Sequence, residues 1–270
     1  MDNKKIIETL VSLLDDENQQ SASFAMAELL NYESELEPVL KKYQESDNLR
    51  LRRRIHQIES IITRRNKRKK IAKELREGTT LFFNALVELH TQWYDSDTES
   101  SIFAYWNAIV ENAGKSQIDS LERLAYFMQK YGFRTAPKGE ITAEAFSIGM
   151  VLEELTGSAI LICAIGNELA NTLNFRTEIM LLNEEFCIID SEKNILLPSH
   201  SWQLYKEDQY SPKPQKLSNA QLLEYVTLML FSTAVASDSY RYVSTIGHIL
   251  AKAYGSDNLS HLPYPFKSER

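Results

Sequence analysis

The stretch that most constrains this chain's fold begins at Ala159. Ile160, Leu161, Ile162, Cys163, Ala164 and Ile165 follow one another inside a helical pattern that runs to Leu173. A helix without a polar face has to be enclosed by other elements. Thr156-Gly157-Ser158 breaks the chain just before it, after a helix that ends near Leu155, and Ser158 or Thr156 can cap its first turn. Asn174-Phe175 then turns the chain into three short alternating segments, Thr177–Leu182, Phe186–Asp190 and Asn194–Leu197, separated by turns at Asn183-Glu184 and Ser191-Glu192-Lys193. Such segments read as a small antiparallel sheet. A buried helix feeding a sheet, within a chain that is otherwise helical in pattern, gives an α+β, predominantly helical fold. With 9 glycines and 7 prolines in 270 residues there is little room for many tight β-turns.

Residues 4–76 read as a ladder of short helices. Ile6, Ile7, Leu10, Leu13 and Leu14 mark one inner face, Ala22, Ala25, Met26, Leu29 and Leu30 a second, which stops at Asn31, and Leu36, Val39, Leu40 and Tyr43 a third. The unit LVSLLDDENQQSASFAMAELL resembles a degenerate HEAT-type repeat, a short helix, an acidic turn and a second helix. Two such units bury little alone, so they are expected to pack on the helices that come next in the chain. A longer helix then carries Ile55, Ile58, Ile61 and Ile62 on one side.

Further helices follow at 77–94, 102–110 and 118–131, the last with Gly132 placed as its C-cap. Residues 134–143 read as a loop, Pro198 to Ser218 as a surface connection, and 256–270 as an extended tail. Ser218-Asn219 opens a C-terminal helix pair that ends at Gly255. The expected divisions are 1–76, 77–210 and 211–270.

The net charge of −7 hides an asymmetry. Between Arg50 and Arg76 twelve lysines and arginines meet only Glu59 and Glu74, about +10 on that segment and about −17 on the remainder. The run around Arg64, Arg65, Lys67 and Arg68 could be a nucleic-acid footprint. Without aromatic residues to stack on bases, a solvated face, or contact with an acidic protein partner, fits it better. Nothing in the N-terminus has a signal-peptide layout and no run is apolar enough to span a bilayer. Together with two cysteines in apolar runs, Cys163 and Cys187, this points to a reduced, cytoplasmic protein.

Tyr131-Gly132-Phe133, Val151-Leu152 followed by Gly157, the apolar helix from Ile160 and the strand pair around Phe186 together resemble the transglutaminase-like, papain-type fold, and more narrowly its SirB-type branch, over residues 77–255. In active members of that superfamily a cysteine heads the buried helix, where the helix N-terminus lowers its pKa. A histidine on the next strand takes the proton and an aspartate orients the histidine. Carried onto this chain, those positions fall on Ala159, Glu185 and Leu197. None of the three can do its family's work, and the SirB-type branch commonly lacks the cysteine too. The resemblance therefore implies a pseudoenzyme that keeps the frame for protein binding, with no cofactor and no metal.

Two alternatives remain open. Cys163 lies one turn deeper than Ala159, and with His200 as base it would be a relocated nucleophile for a hydrolase or acyltransferase. An apolar setting argues instead for an inert core thiol. Cys163, Cys187 and His200 match no zinc spacing. His200 and Trp202 could reach the cleft, although an exposed loop histidine is the simpler reading. Glu184-Glu185 reads as solvated, with no basic partner near. His56 and His90 read as surface or boundary residues, and Phe83 and Tyr105 as side chains left over to line a groove. The nucleic-acid reading of 50–76 is the other alternative.

Overall fold

The computed structural model describes residues 3–78, 81–137, 139, 141–209 and 213–259. The chain divides into two compact units, Met1–Arg68 and Lys69–Arg270. The fold is α+β and predominantly helical, with a five-stranded sheet in the second unit.

In the first unit, α1 (Asn3–Leu13), α2 (Gln19–Leu29) and α3 (Glu33–Tyr43) precede α4 (Leu49–Glu77), whose residues up to Arg68 belong here. Asn18 caps α2 by accepting the Gln20 amide. A 3-10 turn over Leu30–Tyr32 carries the chain directly into α3. The inward faces Ile7, Leu10, Val11, Leu14, Ala25, Leu29, Leu36, Leu40, Ile55 and Ile58 form one apolar cluster. The basic face of α4 is partly spent within this unit. Arg54 donates to the Leu14 carbonyl and to Asp16 O (3.0 Å), and Arg50 pairs with Glu17 at 3.5 Å. A guanidinium at the C-terminal end of a helix meets carbonyls that lack intrahelical donors.

The second unit contains α5 (Phe82–Trp93), α6 (Glu99–Gly114), α7 (Leu121–Tyr131), α8 (Ile148–Glu154), α9 (Ala159–Thr172), α10 (Asn219–Ala236) and α11 (Tyr240–Tyr254). Its strands are β1 (Arg134–Thr135), β2 (Thr156–Gly157), β3 (Thr177–Leu182), β4 (Glu185–Asp190), β5 (Asn194–Leu197), β6 (Gln203–Lys206) and β7 (Gln215–Lys216). β1 and β2 pair in parallel, and the other five form an antiparallel sheet in the order β6-β5-β4-β3-β7. Helix α9 lies against β3 and β4 and is buried from Ile160 to Gly166. Ile179, Phe186, Ile188 and Leu196 face the main core, while Leu182, Cys187, Ile189, Ile195 and Leu197 gather in a separate apolar cluster. Because side chains alternate along a strand, that division puts the two sets on opposite faces. Helices α10 and α11 contribute Leu222, Leu223, Val226, Val243 and Ile246 to the same core as α9. Trp93, Trp106 and Trp202 are all buried in it, Trp93 stacked on Tyr242 at 4.0 Å.

Several expectations need correction. The loop at 134–143 and the connection at 198–218 both contain strands. β1, β6 and β7 are two to four residues long and are held by backbone pairing to β2, β5 and β3, which leaves no apolar alternation in the sequence. Helix α4 runs on to Glu77, so the next helix starts at Phe82 and not at Glu77. His90 is 1% exposed, well inside the unit. Phe83, by contrast, packs its ring on Trp106, centroids 4.6 Å apart, and also lines a hollow beside α9 as expected. Most of the tail, residues 260–270, lies outside the described residues.

Candidate functional site

Ser158 stands at the N-cap of α9 with extended backbone (φ −61°, ψ 151°). Its hydroxyl is sealed from solvent and has no hydrogen-bond partner among the described residues. Ala159 follows as the first helical residue, so the head of the helix carries only a methyl group. The hairpin of β3 and β4 turns at Asn183 and Glu184, both left-handed (φ +48° and +65°), the backbone of a two-residue type I′ turn. That turn places Glu185 at the start of β4. A cleft of about 470 Å³ is lined by Ser158, Ala159 and Ile160 at the head of α9, Glu184, Glu185 and Phe186 from the hairpin, Ser199, Tyr225 and Met229, and Thr135, Ala136, Pro137, Gly139 and Ile141. Phe186 meets the Tyr225 ring edge-on at 5.0 Å and closes one apolar wall.

Ala159 and Glu185 therefore share one cleft, and Leu197 does not line it. Leu197 is buried with Leu182, Cys187, Ile189 and Ile195. Glu185 is not a solvated side chain as its sequence suggested. Its Oε2 is 2.7 Å from His200 Nε2 and accepts the Ser199 hydroxyl at 3.2 Å. Its side chain is only 19% exposed, against 42% for His200. The sequence missed this pairing because Pro198–His200 forms a 3-10 turn at the end of β5, which returns Ser199 and His200 to the neighbouring strand. Trp202 is buried, and its indole N–H donates to Phe133 O at 3.0 Å.

Cys163 is fully buried, and burial pushes its thiol well above the usual range. Cys187 is buried as well, pushed up to about 12 by the same cause although it sits 3.5 Å from the Met180 carbonyl. No hydrogen bond joins Cys163 to His200, whose Nε2 is on Glu185. A thiol in this state is neither nucleophilic nor accessible. The cleft thus offers a carboxylate held by an imidazole and a hydroxyl, and a helix N-terminus with free amide character. Such an arrangement can bind and orient a ligand through its carboxylate and its helix-end amides. Among the described residues no three His, Cys, Asp or Glu side chains are grouped to hold a metal ion.

Comparison with known proteins found no matching family model, no similar curated protein and no similar solved structure.

Proposed function

We propose that this chain is a transglutaminase-like protein of the SirB-type branch that works without thiol chemistry, as a pseudoenzyme that holds another protein. The observation that carries the reading is the alanine at the head of α9, sharing its cleft with Glu185 while the helix's only sulfur is sealed one turn deeper. The glycine before that helix, the enclosed helix itself and the antiparallel hairpin after it support the family assignment. The N-terminal helices, with their acidic turns, support the HEAT-like comparison. The partner is expected to be a protein, acidic where it meets the basic face of α4 at Arg64, Arg65, Lys67 and Arg68.

Two measurements test this together. Native protein treated with iodoacetamide at about pH 7.5 should show no alkylation of Cys163 or Cys187 until it is denatured. Peptides selected from a displayed library on the wild-type chain should lose binding to Ala159→Trp, which fills the cleft. Turnover of a thioester or peptide amide with an amine donor, abolished by Cys163→Ala, would overturn the proposal.

A further inference from the structure

The second unit holds another hollow, of about 500 Å³, whose lining shares no residue with the cleft. It lies along the C-terminal half of α9, between that helix, β3, β7 and the starts of α5 and α10. Its floor is apolar: Phe82, Phe83, Ala164, Ile179 and Leu222. Most of the polar groups around it are already engaged. Asn171 donates to Asn167 O (2.7 Å) and Thr177 O (3.2 Å), and Thr177 gives its hydroxyl to Asn167 Oδ1 at 3.0 Å. Of the two acids, Glu178 is neutralised by Lys216 at 2.7 Å.

Glu168 is the exception. Its side chain makes no hydrogen bond and no ion pair with any other described residue, and burial alone lifts its carboxyl above the usual range, with no cation to hold it down. Its helix supplies no counter-charge either. The positions three and four residues away are Ala164, Ile165, Asn171 and Thr172, where a lysine or arginine would ordinarily pair with it. A half-buried, uncompensated carboxylate above an aromatic and aliphatic floor is complementary to a charge of the opposite sign carried on a hydrocarbon body. A lone carboxylate is too few ligands for a calcium or magnesium ion, and an anion would be repelled. The volume is that of a small-molecule site.

We infer that this hollow binds an organic ammonium ion, its charge on Glu168 and its hydrocarbon part over Phe82, Phe83 and Leu222. The ammonium can belong to a free amine or to a lysine side chain of another protein, and the two are separated by the probes. This inference does not depend on the proposed function of the cleft.

The test is calorimetric titration of the full chain with 2-phenylethylamine, with Nα-acetyl-lysine N-methylamide, and with 2-phenylethanol as the neutral analogue. At least one amine should bind saturably and roughly tenfold or more tighter than the alcohol, the contribution of one charged contact. The tighter of the two amines identifies the source. Glu168→Gln should abolish the preference for amine over alcohol, while Glu178→Gln should retain it. Thr172→Lys places an ammonium one helical turn from Glu168 and should weaken amine binding by about tenfold through internal competition. This variant carries the test should Glu168→Gln fail to fold, which circular dichroism reports. Equal affinity for amine and alcohol, no saturation by either amine up to about 10 mM, or amine binding unchanged in either Glu168→Gln or Thr172→Lys would overturn the inference.

Discussion

His90 does for α8 what the residue at its N-cap does not. Ser147 makes no side-chain cap, and the His90 imidazole fills the role: Nδ1 accepts the Gly149 amide at 3.2 Å and lies 2.7 Å from the Ser147 hydroxyl. Since Nδ1 is an acceptor, Nε2 carries the proton and donates to Asp97 Oδ2 at 2.9 Å. Burial outweighs Asp97 and lowers the pKa of His90. A histidine held neutral in the fold contributes stability that is complete above its unfolded pKa, about 6.5, and is lost as pH falls toward the folded value. Thermal melts taken from about pH 7.5 down to pH 5 should therefore show a falling midpoint that is shallower in His90→Gln. The raised carboxyls of Glu74 and Glu168 act in the opposite sense, gaining stability on protonation, so the wild type must be compared with the variant at each pH. None of this was legible in the sequence. The partners of His90 lie as far as 59 residues away, and a histidine within an amphipathic helix looks the same at a boundary as in a core. The pairing of Glu185 with His200 was hidden for the same reason. The thiols were readable, because an unbroken apolar neighbourhood is a local property of the chain and implies burial directly.

At the scale of elements, the legible parts were those whose signal is local. The enclosed helix, the Asn183-Glu184 turn, the left-handed Gly132 cap (φ +107°) and the start of α10 at Ser218 each rest on residues a few positions apart. At Ser218 the structure adds a reciprocal capping box with Gln221. The short strands β1, β6 and β7 rest on partners elsewhere in the chain, so no local pattern announces them. Gly157 shows what such pairing demands. It sits in β2, and a Cβ there would overlap both methyl groups of Val151 on α8. Gly157→Ala should cost about 1–3 kcal/mol in urea denaturation, the usual penalty for overpacking. Gly114→Ala, where nothing lies within 4 Å, serves as the control and should be neutral or slightly stabilising.

Over the whole molecule, charge is distributed more unevenly than composition suggests, yet much of the basic segment is spoken for. Arg50 and Arg54 are bound near the end of α1, Arg65 donates to Leu30 O at 3.4 Å, Lys70 is paired with Glu88, and Lys73 and Arg76 lie on Glu77. Arg52 and Arg53 line an open hollow with Leu49 and His56. Any affinity for duplex DNA should accordingly depend weakly on salt, with a log–log slope of magnitude below about 2, equivalent to about two phosphate contacts. A steep slope, reduced by charge reversal at Arg64, Arg65, Lys67 and Arg68, would favour the nucleic-acid reading instead. No described helix is long and apolar enough to cross a membrane. The sequence showed the charge split plainly, but not which cations are consumed internally, since that depends on carbonyls and carboxylates brought close by folding.

All three indoles sit in the core beyond Lys69, and none lies in the first sixty-eight residues. Intrinsic fluorescence is therefore a one-sided gauge: excited at the indole band, the protein reports only on the larger unit. The smaller unit emits only through Tyr32 and Tyr43, and unfolding confined to it would pass unseen by anyone watching tryptophan alone.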